Sequence, residues 1–315
     1  MTRLLPLCAI ATCAIVQPAW AADVRVNSET ADAGLLAELR RELRTSESTE
    51  TIFAARRQAR NAAQKAENYL NSRGYFAPEI EYAVDAGPPP IGHVQIEPGP
   101  QFTLAGIAID SGTQALSEAA MSAMRTVRTL KAGDVARPEA IVAEQAALVA
   151  ALKQAGYANA RAEERTVIGD RDAGTLELTY RIIPGARILL GDVIYPSDTR
   201  TRRDYLNRLI SFDENEIYAP QKLATLYRRL NATRNYRFVS VQLADTAKRT
   251  TPDGDEVRDV MVQLEERARY TLSTGTSFST SEGPGLAASL TRRNATRRGD
   301  TLTGAMTLAT LERSF

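Results

Sequence analysis

Three stretches of the chain end a helical pattern in the same way: Leu70-Asn71-Ser72-Arg73-Gly74-Tyr75, Leu152-Lys153-Gln154-Ala155-Gly156-Tyr157, and Leu230-Asn231-Ala232-Thr233-Arg234-Asn235-Tyr236. The tyrosines at 75, 157 and 236 stand 82 and 79 residues apart. A second marker keeps nearly the same step. Glu97-Pro98-Gly99-Pro100-Gln101-Phe102, Ile183-Pro184-Gly185-Ala186-Arg187-Ile188 and Glu265-Glu266-Arg267-Ala268-Arg269-Tyr270 end 86 and 82 residues apart. Two independent markers that agree on spacing define a tandem repeat, which has to be found before the fold is assigned. A unit of about 80 residues is long enough to carry a small core of its own.

Periodicity supplies the contents of each unit. In the second, Leu104 to Ile109 reads as a strand and Leu116 to Val127 as a short helix. Pro138, at a first helical position where its missing N–H costs nothing, opens a longer helix with Ile141, Leu148, Leu152 and Ala155 on one face. Gly156 suits the left-handed position that ends it. Two strands are expected after that, the last placing Leu176, Leu178, Tyr180 and Ile182 inward and Glu177, Thr179 and Arg181 outward. In the third unit Pro220 opens a helix with a stripe of Leu223, Leu226, Tyr227 and Leu230. Val239, Val241 and Leu243 alternate in one later strand, and Val260, Val262 and Leu264 in the next. In the first unit Ile52, Ala55, Ala59, Ala62, Ala66 and Tyr69 mark the inner helix face, and Ile80, Tyr82 and Val84 alternate after it. The expected order is strand, helix, helix, strand, strand, repeated three times.

Composition narrows the chemistry. Among 315 residues, 39 Lys and Arg against 38 Asp and Glu leave a formal charge of +1, far from the basic excess of a nucleic-acid binder. With one histidine (His93) and two cysteines (Cys8 and Cys13), neither a histidine metal cluster nor paired CxxC zinc ligands can be built. His93 alternates with Gln95 and Glu97 on the polar side of a strand and reads as solvated, and Gly87-Pro88-Pro89-Pro90 as a turn. The acid pairs Glu163-Glu164, Asp213-Glu214 and Glu265-Glu266 read as solvated charges. Ser273, Thr274, Ser277 and Ser279 have no histidine base in their region, so no triad can be drawn. Gly275, Gly283 and Gly285 precede no Gly-Lys-Ser/Thr, so no phosphate loop is expected. The expectation is a protein that is not an enzyme, with no catalytic, cofactor-binding or metal residue and no cofactor.

Residues 1–22 read as a signal peptide: Arg3 supplies the charge, Leu4 to Val16 the apolar run, and Ala19-Trp20-Ala21 the small residues before cleavage. Both cysteines lie inside it. From Tyr270 onward Ser, Thr and Gly dominate, and three alternating strands are expected at Arg269 to Thr280, Gly285 to Arg293 and Asp300 to Leu311. Each is near the roughly 9–11 residues a tilted strand needs to cross an outer membrane. Leu286, Ala288 and Leu290 would face lipid, and Ala287, Ser289 and Thr291 a lumen. The arginines of Arg292-Arg293-Asn294-Ala295-Thr296-Arg297-Arg298-Gly299-Asp300 read as a wet turn, with contact to anionic lipid as the alternative. Three strands cannot close a barrel, because unpaired backbone groups are not tolerated in hydrocarbon. The chain to Phe315 is therefore expected to be part of a longer one.

The Gly-Tyr helix ends and the Pro-Gly strand ends, repeated from about Val24 to Glu266, resemble the POTRA (polypeptide-transport-associated) domain. The turn from Arg292 to Asp300 resembles the start of the barrel in the bacterial surface antigen superfamily, although Arg298 stands where an aromatic-Gly or Gly-Arg pair is usual. Three such units ahead of a barrel resemble the TamA family; BamA-type proteins carry five and two-partner-secretion transporters two. The resemblance implies an α+β fold, with three tandem POTRA domains (β-α-α-β-β each) at 23–100, 101–186 and 187–267, then the start of an incomplete transmembrane β-barrel at 268–315. It also implies outer-membrane localisation with periplasmic POTRA domains, a TamB-type inner-membrane partner, and unfolded outer-membrane or autotransporter clients. Outer-membrane lipid is a further implied partner, and nucleic acid is not.

A small sheet covered by helices on one side leaves an open edge, and its natural use is β-augmentation by an extended strand. Ile80, Glu81, Tyr82, Ala83 and Val84 form the expected partner-binding edge. By analogy with the family, Tyr270, Leu272, Thr274, Thr276 and Phe278 would belong to the strand that gates the barrel. Two other classes stay open: a soluble periplasmic binding module whose residues after Tyr270 are a tail, and a cofactor-free secreted hydrolase.

Overall fold

A computed structural model describes residues 24–44, 50–112, 116–279, 283–309 and 313–314. The expected signal peptide lies outside the described residues, as do the strand ends expected at Thr280 and Leu311. The elements run β1 (Arg25–Asn27), α1 (Ala33–Glu42), α2 (Ile52–Ser72), β2 (Glu79–Asp85), β3 (Ile91–Glu97), then β4 (Thr103–Asp110), α3 (Glu118–Val127), α4 (Pro138–Gln154), β5 (Arg161–Ala162), β6 (Thr166–Asp170) and β7 (Thr175–Ile183). A third round follows: β8 (Ile188–Ile194), α5 (Arg203–Asn207), α6 (Pro220–Ala232), β9 (Tyr236–Leu243), β10 (Arg249–Thr250) and β11 (Glu256–Glu266). Four strands end the chain: β12 (Tyr270–Ser279), β13 (Gly283–Arg293), β14 (Thr301–Ala309) and β15 (Arg313–Ser314). The repeated order is the one expected, with one correction. The second and third rounds each carry an extra two-residue strand, β5 and β10, too short for a periodic signal.

The sheets follow one plan. In the first, β3 is central, with β1 parallel on one side (Val26 beside Val94) and β2 antiparallel on the other (Tyr82 beside Val94). The second has the order β4-β7-β5, with β6 also on β7. In the third, β8 runs parallel to β11, and β9 and β10 pair antiparallel to the far side of β11. Compactness divides the chain into two units: residues up to 107 with 130–142 and 167–178, and residues 108–129, 143–166 and from 179 onward.

In the first unit, Thr51 caps α2 by accepting from the Ala54 N–H, and Ala55, Ala59, Ala62, Ala66 and Leu70 form its buried stripe. Small residues belong there because β3 comes close: a Cβ on Gly92 would lie 3.0 Å from the Ala59 methyl. Leu39, Ala66, Leu70, Val94 and Ile96 close that core. Ile52 is exposed, so the expected stripe overreached at its start, while Tyr69 is half-buried and packs against the core, and Leu70 was missed. In the second unit, Leu190, Leu206, Leu226, Leu230, Tyr236, Val260 and Val262 form the core of the third round. Tyr227, expected on that stripe, is 45% exposed; Leu226 and Leu230 fill the face and leave it outside. Along β7, Leu176, Leu178, Tyr180 and Ile182 are buried in strict alternation, as expected.

Candidate functional site

The Gly-Tyr phrase is a helix cap. Gly74 and Gly156 sit at φ +91 and +104. The Tyr75 N–H donates to the Leu70 carbonyl and the Tyr157 N–H to the Leu152 carbonyl, both at 3.0 Å, closing the last turn of each helix. The freed cap carbonyls then serve the next strand. Phe102 N–H donates to Gly74 O and Ile188 N–H to Gly156 O, each at 2.9 Å. In the third round Arg234 takes the left-handed position (φ 56) and one extra residue, Asn235, precedes the tyrosine. There the Arg267 N–H donates to Asn235 O at 2.8 Å. At the first two junctions the two sequence markers are thus the two ends of one backbone hydrogen bond, and at the third a shifted bond from Arg267 takes its place.

A second recurring device decides which sheet edge is open. Ahead of α4, Ala136 N–H donates to Phe102 O, Leu104 N–H to Asp134 O and Gly133 N–H to Leu104 O. Ahead of α6, Tyr218 N–H donates to Ile188 O, Leu190 N–H to Glu216 O and Asn215 N–H to Leu190 O. Gly133 (φ 92) and Asn215 (φ 64) make the same left-handed turn in both places. The loop therefore occupies the outer edge of β4 and of β8. Among the described residues the flank left over in the third round is that of β9, where Phe238 is exposed. The expected partner edge lies on β2, the corresponding strand of the first round. Among the described residues Ile80, Glu81, Tyr82, Ala83 and Val84 pair on one side only, with Ile96, Gln95, Val94, His93 and Gly92, and Tyr82 is 46% exposed. His93, read as solvated, points to the polar face but is engaged, with its Nε2 2.6 Å from Asp85 Oδ2.

In the terminal sheet β12, β13 and β14 span 10, 11 and 9 residues in continuous antiparallel register. Leu272 faces Leu290, Thr274 faces Ala288 and Thr276 faces Leu286; Met306 and Leu308 continue this face on β14. The other face carries Ser273, Gly275, Ser277, Ala287, Ser289 and Thr303, small or polar throughout. Tyr270, Leu272, Thr274, Thr276 and Phe278 all project onto the apolar face, with Leu272 69% and Phe278 79% exposed. What β12 offers at its free edge is therefore its backbone. The sheet order β12-β13-β14-β15 leaves that edge unpaired among the described residues.

The turn between β13 and β14 corrects two readings. It is docked rather than simply wet. Asn294 Nδ2 donates to Thr201 Oγ1 at 2.9 Å, and that hydroxyl shares a 2.9 Å hydrogen bond with the Tyr236 hydroxyl. Burial raises the Tyr236 pKa, so the phenol keeps its proton. Arg202 N–H donates to Arg297 O at 2.9 Å. Gly299 packs so closely on Tyr205 that a Cβ there would lie 2.5 Å from the phenol oxygen. Burial works against ionisation of Asp300, but the Thr296 N–H and hydroxyl both donate to its carboxylate, and its pKa ends below the ordinary value. Glu266, read as a solvated charge, is instead a clamp on the segment entering β12: it accepts from the Arg200 backbone N–H at 2.7 Å, the Thr199 hydroxyl at 3.1 Å and the Arg200 guanidinium. Glu265 does stay exposed, paired with Arg237 at 2.9 Å. The separations involved, 93 residues for Asn294 to Thr201, put these contacts beyond any local pattern. A glycine closing an arginine-rich turn was the one available signal.

Among the described residues no cluster of His, Cys, Asp and Glu is placed to hold a metal ion, and no helix is long and apolar enough to cross a membrane.

No protein-family model matches the chain. Among solved structures it is similar to BamA from Haemophilus ducreyi lacking POTRA domains 1–3, with a TM-score of 0.53 and 18% identity over 66% of this chain and 37% of that one. POTRA domains 3–5 of BamA from Haemophilus influenzae match at a TM-score of 0.41 and 17% identity, over 78% of this chain and 96% of that one. CdiB from Escherichia coli matches at 0.35 and 17%, over 80% and 42%. The chain thus spans little more than a third of the Haemophilus ducreyi protein. Its fold is α+β: POTRA-type units in tandem, followed by the opening strands of an incomplete β-barrel.

Proposed function

We propose that the chain is the periplasmic arm and barrel start of an outer-membrane protein assembly and translocation factor of the TamA kind. In this reading residues 1–22 are a signal peptide, 23–100, 101–186 and 187–267 are the three POTRA domains, and 268–315 begin the barrel. Clients or a TamB-type inner-membrane partner join open strand edges, and the barrel receives what the edges hold. The observation that carries the reading is the free edge of β12, a strand of membrane-crossing length with an apolar and a polar face, reached directly from the third round. Backbone hydrogen bonds from such an edge give affinity with little sequence preference, which suits a device handling many unfolded chains. No nucleotide-binding loop accompanies this edge in the sequence, so the driving free energy is that of client folding. The fold likeness to BamA favours a second reading, a BamA-type factor with different partners.

The test is photo-crosslinking in cells. A crosslinking residue is placed in turn at Ser273, Thr274, Gly275, Thr276 and Ser277, and the adducts are identified. Outer-membrane client chains captured along β12, in a pattern alternating from one residue to the next, support the reading. Adducts only to soluble periplasmic proteins, or none, overturn it. Recovery of a TamB-type inner-membrane protein from the POTRA edges supports the first reading over the second.

A further inference from the structure

Where β12 and β13 meet the third round, a small cavity of about 60 Å³ is lined by Arg200, Arg269, Arg293, Asn294, Ala295 and Arg297. We propose that it is a binding site for a phosphate-type oxyanion, drawn either from a phospholipid headgroup or from solution.

The charge balance points to an anion. Four arginines line the cavity, and the carboxylate beside them, Glu266, is already engaged by Arg200 and Thr199. Arg269 and Arg297 form no ion pair among the described residues. Arg269 stacks on the Tyr270 ring at 5.4 Å, which uses the face of the guanidinium and leaves its N–H edge available. Arg293 donates through one nitrogen, at 2.5 Å to the Thr271 hydroxyl and 3.4 Å to the Ala268 carbonyl. Arg297 is held in place by its backbone, at φ 63 with its carbonyl tied to the Arg202 N–H. Like charges gathered around a partly enclosed space repel, and an anion between them relieves this.

Size and chemistry select the class. The cavity exceeds the roughly 10–15 Å³ that one water occupies, so it admits a small ion, and planar guanidinium forks bind phosphate bidentately. Position adds the lipid as a source. Tyr270 and Arg292, whose guanidinium lies 5.9 Å from the Tyr270 ring, end the apolar face of the strands next to the cavity. Such residues anchor at a membrane–water boundary. This lipid source, unlike the site itself, rests on the membrane reading proposed above.

The experiment uses the full chain in a zwitterionic detergent, titrated with sodium phosphate or with sodium chloride at matched ionic strength while thermal unfolding is followed. A saturable rise in Tm with phosphate alone is expected. The R269Q/R297Q chain should need at least about tenfold more phosphate for the same rise. R298Q, which removes a charge from the same turn but outside the cavity, should respond like the parent. If the double variant does not fold, R297Q alone is used, since only the backbone of Arg297 ties down the turn. No saturable response in the parent, or equal losses in R298Q and R269Q/R297Q, overturns the site. Doping the micelles with phosphatidylglycerol should compete with phosphate where phosphatidylcholine does not. An intact phosphate response without that competition overturns the lipid source and leaves phosphate from solution as the ligand. The phosphate arm needs no membrane, so it reports on the site even if the membrane reading fails.

Discussion

Gly156 shows how much one position can decide. It ends α4 in the left-handed region, and a Cβ there would lie 2.7 Å from Ile217 Cγ2 and 3.1 Å from Arg187 Cγ. Gly133 is also left-handed, but a Cβ there meets open space. G133A should therefore cost about 1 kcal/mol of backbone strain, and G156A about 1–3 kcal/mol from strain and crowding together. Denaturant unfolding of the two variants in detergent checks the order; equal costs would mean that the packing around Gly156 gives way. The caps at Gly74 and Gly156 were legible because glycine before tyrosine is a distinctive phrase. The third cap was only half legible, because Arg234 takes the left-handed position without advertising it. Tyr227 misled for a related reason. Helical spacing marks a stripe but not its width, and a residue at the margin faces solvent once leucines fill the core.

Among the elements, the informative contrast is between covered and open strands. The alternation along β7, β9 and β11 was readable, since a strand with one buried face writes its burial into its side chains. The loops covering β4 and β8 were not, because they act through backbone N–H and carbonyl groups and need only one left-handed residue each. The docked turn at 294–300 escaped for a different reason. Its partners Thr201, Arg202 and Tyr205 lie roughly a hundred residues away in sequence and carry no motif. The open strand β2 invites a direct test. Successive N–H groups on a strand point to opposite sides, so of Tyr82 and Ala83 one donates toward β3 and the other toward the free edge. Y82P and A83P should therefore separate: one lowers thermal stability, while the other keeps stability and helical circular dichroism but loses partner capture. Both variants capturing partners normally would clear β2 of the role.

For the whole molecule, the two faces of the terminal sheet state what surrounds it. Leu286 and Ala287 are neighbours on β13 but project to opposite faces. In protein reconstituted into phospholipid vesicles, L286R should cost about 2–4 kcal/mol near the midplane, whereas A287R should be tolerated. Folding yield measured by protease protection distinguishes them, and equal tolerance would place the sheet in water. That alternation was visible in the sequence, as was the switch from helical to strand period near Tyr270. What the sequence left unsaid is how the strands are tethered, through Glu266 and the turn at 294–300.

The loop lying against β8 has one more consequence, for stoichiometry. A sheet with two free flanks can stack copies end to end without limit, as fibrils do. The third round, with one flank already occupied by its own backbone, has a single flank to give among the described residues. Copies meeting through that sheet alone saturate each other and stop, while β2 and β12 keep edges of their own.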